Sequence, residues 1–176
     1  MKKVLLIICL FCLTHIFAQP LIFEKLVIID SITSKEVLFE RLNTRLIDVM
    51  EGQDKFNKNI IQSDKEIGVI KYKNVISYDV NEFMNSANGI ISYNVNVYFK
   101  KGRFKIIIDN IIHKGLGVSM DELTIDIQYP HKHSNYLKYR NRKWVEIKEF
   151  INNEIPKHIS TVEKLILTPS EQESKW

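Results

Sequence analysis

Residues 91–112 read ISYNVNVYFKKGRFKIIIDNII. In the first half Ile91, Tyr93, Val95, Val97 and Phe99 alternate with Ser92, Asn94, Asn96, Tyr98 and Lys100. A period of two puts the first set on one face of a strand and the second on the other, so one face is dry and the other wet. Lys101-Gly102 supplies the turn, and Arg103 to Ile112 returns with Phe104, Ile106 and Ile108 continuing the dry side. An antiparallel pair with one apolar face needs more strands beside it and a layer over that face.

The flanking sequence supplies both. Upstream, Asn59-Ile-Ile-Gln-Ser and Gly68 to Tyr78 read as two strands, with Asp64, Lys65, Glu66 and Gly68 as their turn. Downstream, Leu123, Ile125, Ile127 and Tyr129 alternate with Thr124, Asp126 and Gln128, the pattern of a further strand. Residues 22–29 are a β-branched apolar run closed by Asp30 and Ser31, which makes a first strand. The covering layer comes from two amphipathic helices. In the first, Thr33 and Glu36 form a capping-box pattern, Leu38, Leu42, Leu46, Val49 and Met50 recur at helical spacing, and Gly52 ends the run. Its polar side holds Glu40, Arg41, Arg45 and Asp48, and a polar linker, Gln53 to Asn57, follows. In the second, Trp144, Ile147, Ile151, Ile155, Ile159, Val162 and Ile166 step by three or four, spanning roughly 36 Å to Leu167 at about 1.5 Å per residue. Pro156 falls inside this helix and predicts a kink or break with the apolar phase kept. The expected fold is α+β, in the order β-α-β-β-β-β-β-α, with about six antiparallel strands and both helices on one face.

At the N-terminus, Lys2 and Lys3 precede an apolar run from Val4 to Phe17 that closes on Ala18. This is the pattern of a secretory signal peptide cleaved after Ala18, being short of the roughly 20 apolar residues of a spanning helix. The expected division is a signal peptide at 1–18, one domain at 19–169 and a loose tail at 170–176, located in the periplasm or cell envelope of a bacterium, or secreted. Both cysteines, Cys9 and Cys12, lie in the signal. The exported chain then carries no thiol nucleophile, no cysteine zinc site and no disulfide. With 26% charged residues and a formal charge of +4, which falls to +2 without Lys2 and Lys3, the balance gives weak support to a nucleic-acid partner.

Several of these segments resemble a family of secreted bacterial domains of unknown function with a TATA-binding-protein-like (TBP-like) fold. They are residues 34–41 (SKEVLFER), 60–70 (IIQSDKEIGVI), 91–97 (ISYNVNV) and 100–104 (KKGRF). The resemblance implies export and a curved antiparallel sheet with helices on one side. It brings no established activity and no cofactor, and the fold name does not imply DNA binding.

Three sets of residues are candidates for chemistry. His131 and His133 are two apart, so in an extended segment both imidazoles point the same way, but a metal site needs a third ligand such as His113 or Asp126; otherwise they are exposed loop histidines. Asp64 with Glu66, and Asp121 with Glu122, are paired carboxylates that need an enclosing cleft to do acid–base work. Neither a Gly-x-Ser-x-Gly elbow, a His-Glu-x-x-His helix nor a phosphate-binding glycine loop is present, so the reading is non-catalytic. The most distinctive polar stretch is residues 132–143. It holds Lys132, Lys138, Arg140, Arg142 and Lys143 with Tyr136 and Tyr139 interleaved and no acidic residue. Guanidinium groups and aromatic rings suit phosphate, carboxylate or sugar surfaces. The expected function is therefore an envelope domain that binds a partner protein, an anionic lipid or a glycan. The alternative is a carrier holding an apolar small molecule between the sheet and the long helix.

Overall fold

The computed structural model describes residues 19–29, 32–80, 86–131 and 136–169. The expected signal peptide, the tail from Ser170, Lys132 and His133 lie outside the described residues. Among the described residues the fold is α+β: an open antiparallel sheet of six strands with three helices. The elements are β1 (Phe23–Ile28), α1 (Lys35–Val49), α2 (Gln53–Asn59), β2 (Ile60–Asp64), β3 (Val69–Tyr78), β4 (Gly89–Lys100), β5 (Arg103–Gly115), β6 (Asp121–Glu122) and α3 (Leu137–Leu167). In space the strands run β1-β5-β4-β3-β2, and β6 lies against the far part of β5. Every pairing is antiparallel.

The β4–β5 pair is the centre of the sheet, as the alternation in 91–112 predicts. Ile91, Tyr93, Val95, Val97 and Phe99 are buried, and so are Phe104, Ile106 and Ile108. A bulge then resets the phase of β5: Ser92 pairs with Ile112 while Asn94 pairs with Asp109, so β5 carries an extra residue there. Asn110, in the left-handed region at φ 51°, sits in it. Beyond it Ile111 and His113 face the core, where unbroken alternation would have turned them out. The wet side of β4 is not wholly wet, because Ser92 and Asn96 are buried; Asn96 donates to Asp109 Oδ2 at 3.0 Å.

Helices α1 and α3 share one core with the dry face. Leu38, Leu42 and Leu46 meet Trp144, Ile147, Ile151, Ile155, Val162 and Ile166 in a single apolar cluster, to which no described residue before Leu21 contributes. The two helices lock end to end: Arg45 donates to the carbonyls of Leu165, Thr168 (2.7 Å) and Pro169 (2.7 Å), and Arg41 to that of Ile166 (3.3 Å). Two arginines read as solvent-facing thus cap the carbonyl end of α3, where cations also suit the helix dipole.

Four expectations are corrected at the level of elements. The cap of α1 is Ser34, whose hydroxyl accepts from the Val37 N–H at 3.2 Å, and not Thr33. The supposed linker at 53–57 belongs to helix α2, pinned by buried Phe56 and stapled by Gln53 to Asn57 at 2.8 Å. Residues 123–129 form no strand. Beyond β6 their carbonyl and amide groups go elsewhere: Ile125 N–H to Gln19, and the Asp126 carbonyl to Trp144 Nε1 (2.9 Å) and Lys148 Nζ (2.7 Å). Finally, α3 begins at Leu137, seven residues before Trp144, and runs through Pro156 without a break.

Candidate functional site

The stretch singled out at 132–143 straddles the start of α3, and the helical phase sorts its side chains. Leu137, Arg140, Trp144 and Ile147 step by three or four along the stripe that faces the sheet, and Lys143 lies beside it. Arg140 accordingly turns inward. It donates to the Ser119 carbonyl at 2.8 Å and to the Tyr129 hydroxyl at 3.0 Å, with its guanidinium 5.2 Å from the Tyr129 ring centre. Lys143 is fully buried, with Nζ 2.7 Å from the Glu146 carboxylate and 6.0 Å from the Tyr139 ring centre. The Tyr139 hydroxyl lies 3.0 Å from Ser86 Oγ. Arg140 and Tyr139 bind the helix start to the loops beneath it, while the contacts of Lys143 with Glu146 and Tyr139 lie within the helix.

Tyr136, Lys138 and Arg142 point to solvent. Tyr136 is 81% exposed and takes the left-handed conformation (φ 62°) at the N-cap, with no side-chain hydrogen bond to the helix. Lys138 is exposed, and Arg142 stacks over Tyr139 at 5.7 Å while reaching Glu146 only at 3.7 Å. No acidic residue occupies the first turn. Cations there oppose the helix dipole at a cost of a few tenths of a kcal/mol.

The loops around this helix start add apolar groups that the sequence reading did not connect with it. Leu116 is 87% exposed and Ile127 85%, and Ile125 is about half exposed. Their positions are fixed by the same contacts. Gly117 and Val118 both donate to the Ser86 carbonyl at 2.8 Å, next to Tyr139. Ile125 and Ile127 flank Asp126, whose carbonyl holds Trp144 and Lys148. Gln19 and Pro20 lie alongside this segment too, through the Ile125 N–H···O bond to Gln19 and the bridge between Pro20 and Thr124. The loops packed around the start of α3 thus carry exposed Leu116, Ile125 and Ile127, and the helix start itself carries exposed Tyr136, Lys138 and Arg142.

A second cationic area lies on the outer face of the sheet. Lys100, Arg103 and Lys105 surround Tyr98 and Leu26 in a shallow groove of about 340 Å³, with Lys71 5.9 Å from the Tyr98 ring centre. Lys105 is paired to Glu24 at 2.7 Å.

The other candidates do not assemble into a site. His113 is buried, with Nδ1 accepting from the Met120 N–H (3.1 Å) and Nε2 2.8 Å from the Ala87 carbonyl, so both ring nitrogens are engaged. Asp126 accepts from Thr124 Oγ1 at 2.8 Å. His131 stands edge-on to Tyr129. Among the described residues no three metal-ligating side chains converge. Asp64 accepts the Ile67 N–H at 2.9 Å and so shapes its own turn, while Asp121 and Glu122 are exposed on β6.

One arrangement escaped the sequence reading. Where α1 passes into α2, a cleft of about 270 Å³ opens over β3 and beside the last turns of α3. Tyr72 OH lies 3.3 Å from His158 Nε2, and Tyr93 OH accepts from Asn74 Nδ2 at 2.7 Å. Burial pushes both phenols above the ordinary tyrosine range; for Tyr93, the Asn74 hydrogen bond offsets part of the rise. Burial holds His158 below the ordinary histidine value. The available signal was His158 at four before Val162, on the flank of the apolar stripe.

The sequence matches no protein-family model and no curated protein. The fold does match solved structures. A TBP-like protein from Parabacteroides distasonis aligns with TM-score 0.60 at 16% identity, covering 86% of this chain and 95% of that one. A DUF4468 family protein from Bacteroides ovatus aligns with TM-score 0.54 at 15% identity, covering 86% and 89%. The architecture is thus that of TBP-like bacterial domains.

Proposed function

We propose that this chain is an exported, non-catalytic domain that binds an anionic membrane surface through the loops around the start of α3. The observation that carries the reading is the exposure of Leu116, Ile125 and Ile127 in the loops around the start of α3, together with exposed Tyr136, Lys138 and Arg142 on that helix start. Apolar and aromatic tips enter the headgroup layer while cations meet phosphate. Export rests on the pattern of residues 1–18. N-terminal sequencing of the protein isolated from its native cell is expected to begin at Gln19; a start at Met1 would overturn this half of the proposal.

Binding is tested on the chain from Gln19 onward by co-sedimentation with phosphatidylcholine vesicles, with and without phosphatidylglycerol. A cation near such a surface contributes about 1 kcal/mol, so the double variant Lys138→Ser, Arg142→Ser is expected to bind roughly thirtyfold more weakly. Equal binding by both chains would overturn the assignment of the site. Binding to a soluble anionic glycan and not to the vesicles would move the partner from lipid to sugar.

A further inference from the structure

We infer that the cleft between α1, α2, β3 and α3 is a binding site for a small uncharged molecule with an apolar body and one hydrogen-bonding head. Part of its wall is apolar: Leu46, Val49 and Met50 from one side, Val162 and Leu165 from the other. Of its polar groups, Tyr72 and Asn74 on β3 lie with His158 on α3, and Glu51, Lys55, Asn59 and Thr161 complete the lining. Apolar surface beside convergent polar groups is the make-up of a small-molecule site, and about 270 Å³, just under the usual range for drug-sized ligands, restricts the occupant to a small one.

The lining also fixes the ligand's charge. Glu51 and Lys55 are the only charged lining residues among those described, and they are paired with each other at the rim. The inner groups are a phenol and an imidazole, and burial disfavours charge on both. An ionic head entering past them would lose hydration with no opposite charge to meet, whereas an amide or hydroxyl would not. Partners for such a head are on hand. Asn74 Nδ2 is spent on Tyr93, which leaves its Oδ1 to accept, and His158 Nδ1 has no partner among the described residues.

The test uses methyl-labelled full-length protein titrated with benzamide and indole as uncharged probes, and with benzoate and benzylamine as charged counterparts. Benzamide and indole are expected to shift the Val49, Val162 and Leu165 methyl signals saturably, with the charged probes at least tenfold weaker. Val49→Trp, at an exposed wall position, is expected to abolish the shifts without lowering the unfolding temperature. Thr161→Trp does the same from the opposite wall should Val49→Trp fold poorly. Absence of saturable shifts, equal binding of benzoate or benzylamine, or shifts that persist in both tryptophan variants would overturn the inference. None of these outcomes bears on vesicle binding, which uses other residues.

Discussion

His113 shows how a single buried side chain makes the fold sensitive to pH. Its ring takes the Met120 N–H at Nδ1 and gives its own proton from Nε2 to the Ala87 carbonyl, which defines a neutral tautomer. Burial pushes its pKa below the ordinary value, and burial does the same to His158. The unfolded chain therefore binds protons first as pH falls through about 6.5, so stability is full above that value and declines below it. Urea unfolding between about pH 7.5 and about pH 5 is expected to show this decline, and His113→Gln to flatten it. Equal slopes for the two proteins would contradict the assignment. Arg45 offers a second test. Its contacts with the carbonyls at the end of α3 predict a loss of about 1 to 3 kcal/mol for Arg45→Ala, measured by the same unfolding. A loss near zero would mean that water serves those carbonyls equally well. Neither role was legible in sequence, where His113 stood as a possible metal ligand and Arg45 on a solvent face. Both depend on partners far along the chain.

The elements were legible where side-chain period and backbone pairing agree. Strands β3 and β4, and β5 as far as its bulge, follow their alternation because each has a neighbour on both sides. The same alternation at 123–129 misled, because there the backbone groups are taken by Gln19, Trp144 and Lys148 and not by a neighbouring strand. Helix α2 was missed because Phe56 is its only buried anchor, too sparse for a period. Two strained places make predictions at this scale. Asn110 holds the bulge that brings Ile111 and His113 inward, and β-branched residues resist its left-handed conformation. Asn110→Val is expected to cost about 1 to 2 kcal/mol, and Asn110→Gly to be tolerated. A costless valine would mean that the bulge shifts freely. In α3, Pro156 removes the hydrogen bond to the Asn152 carbonyl without ending the helix. Pro156→Ala is expected to raise unfolding stability by about 1 to 3 kcal/mol, and an unchanged value would show that α3 already accommodates the ring without cost.

At the scale of the whole molecule, the fold brings the loops after β5 and β6 to the start of α3. The composition of that region was half legible. Tyr136, Lys138 and Arg142 stood out in sequence, but so did Arg140 and Lys143, which the structure turns inward. The reason is the helix start: with α3 read from Trp144, residues 137–143 had no helical phase, so inward and outward side chains looked alike. Leu116, Ile125 and Ile127 were likewise separate in sequence, and only the loop contacts bring their segments to the start of α3. The outer sheet face around Tyr98, Lys100 and Arg103 is the competing surface for an anionic partner. Amide hydrogen exchange of the chain from Gln19, with and without phosphatidylglycerol vesicles, separates the two. Slowed exchange confined to residues 114–118, 125–128 and 136–142 is the predicted result; protection centred on 98–105, or none anywhere, would contradict the account.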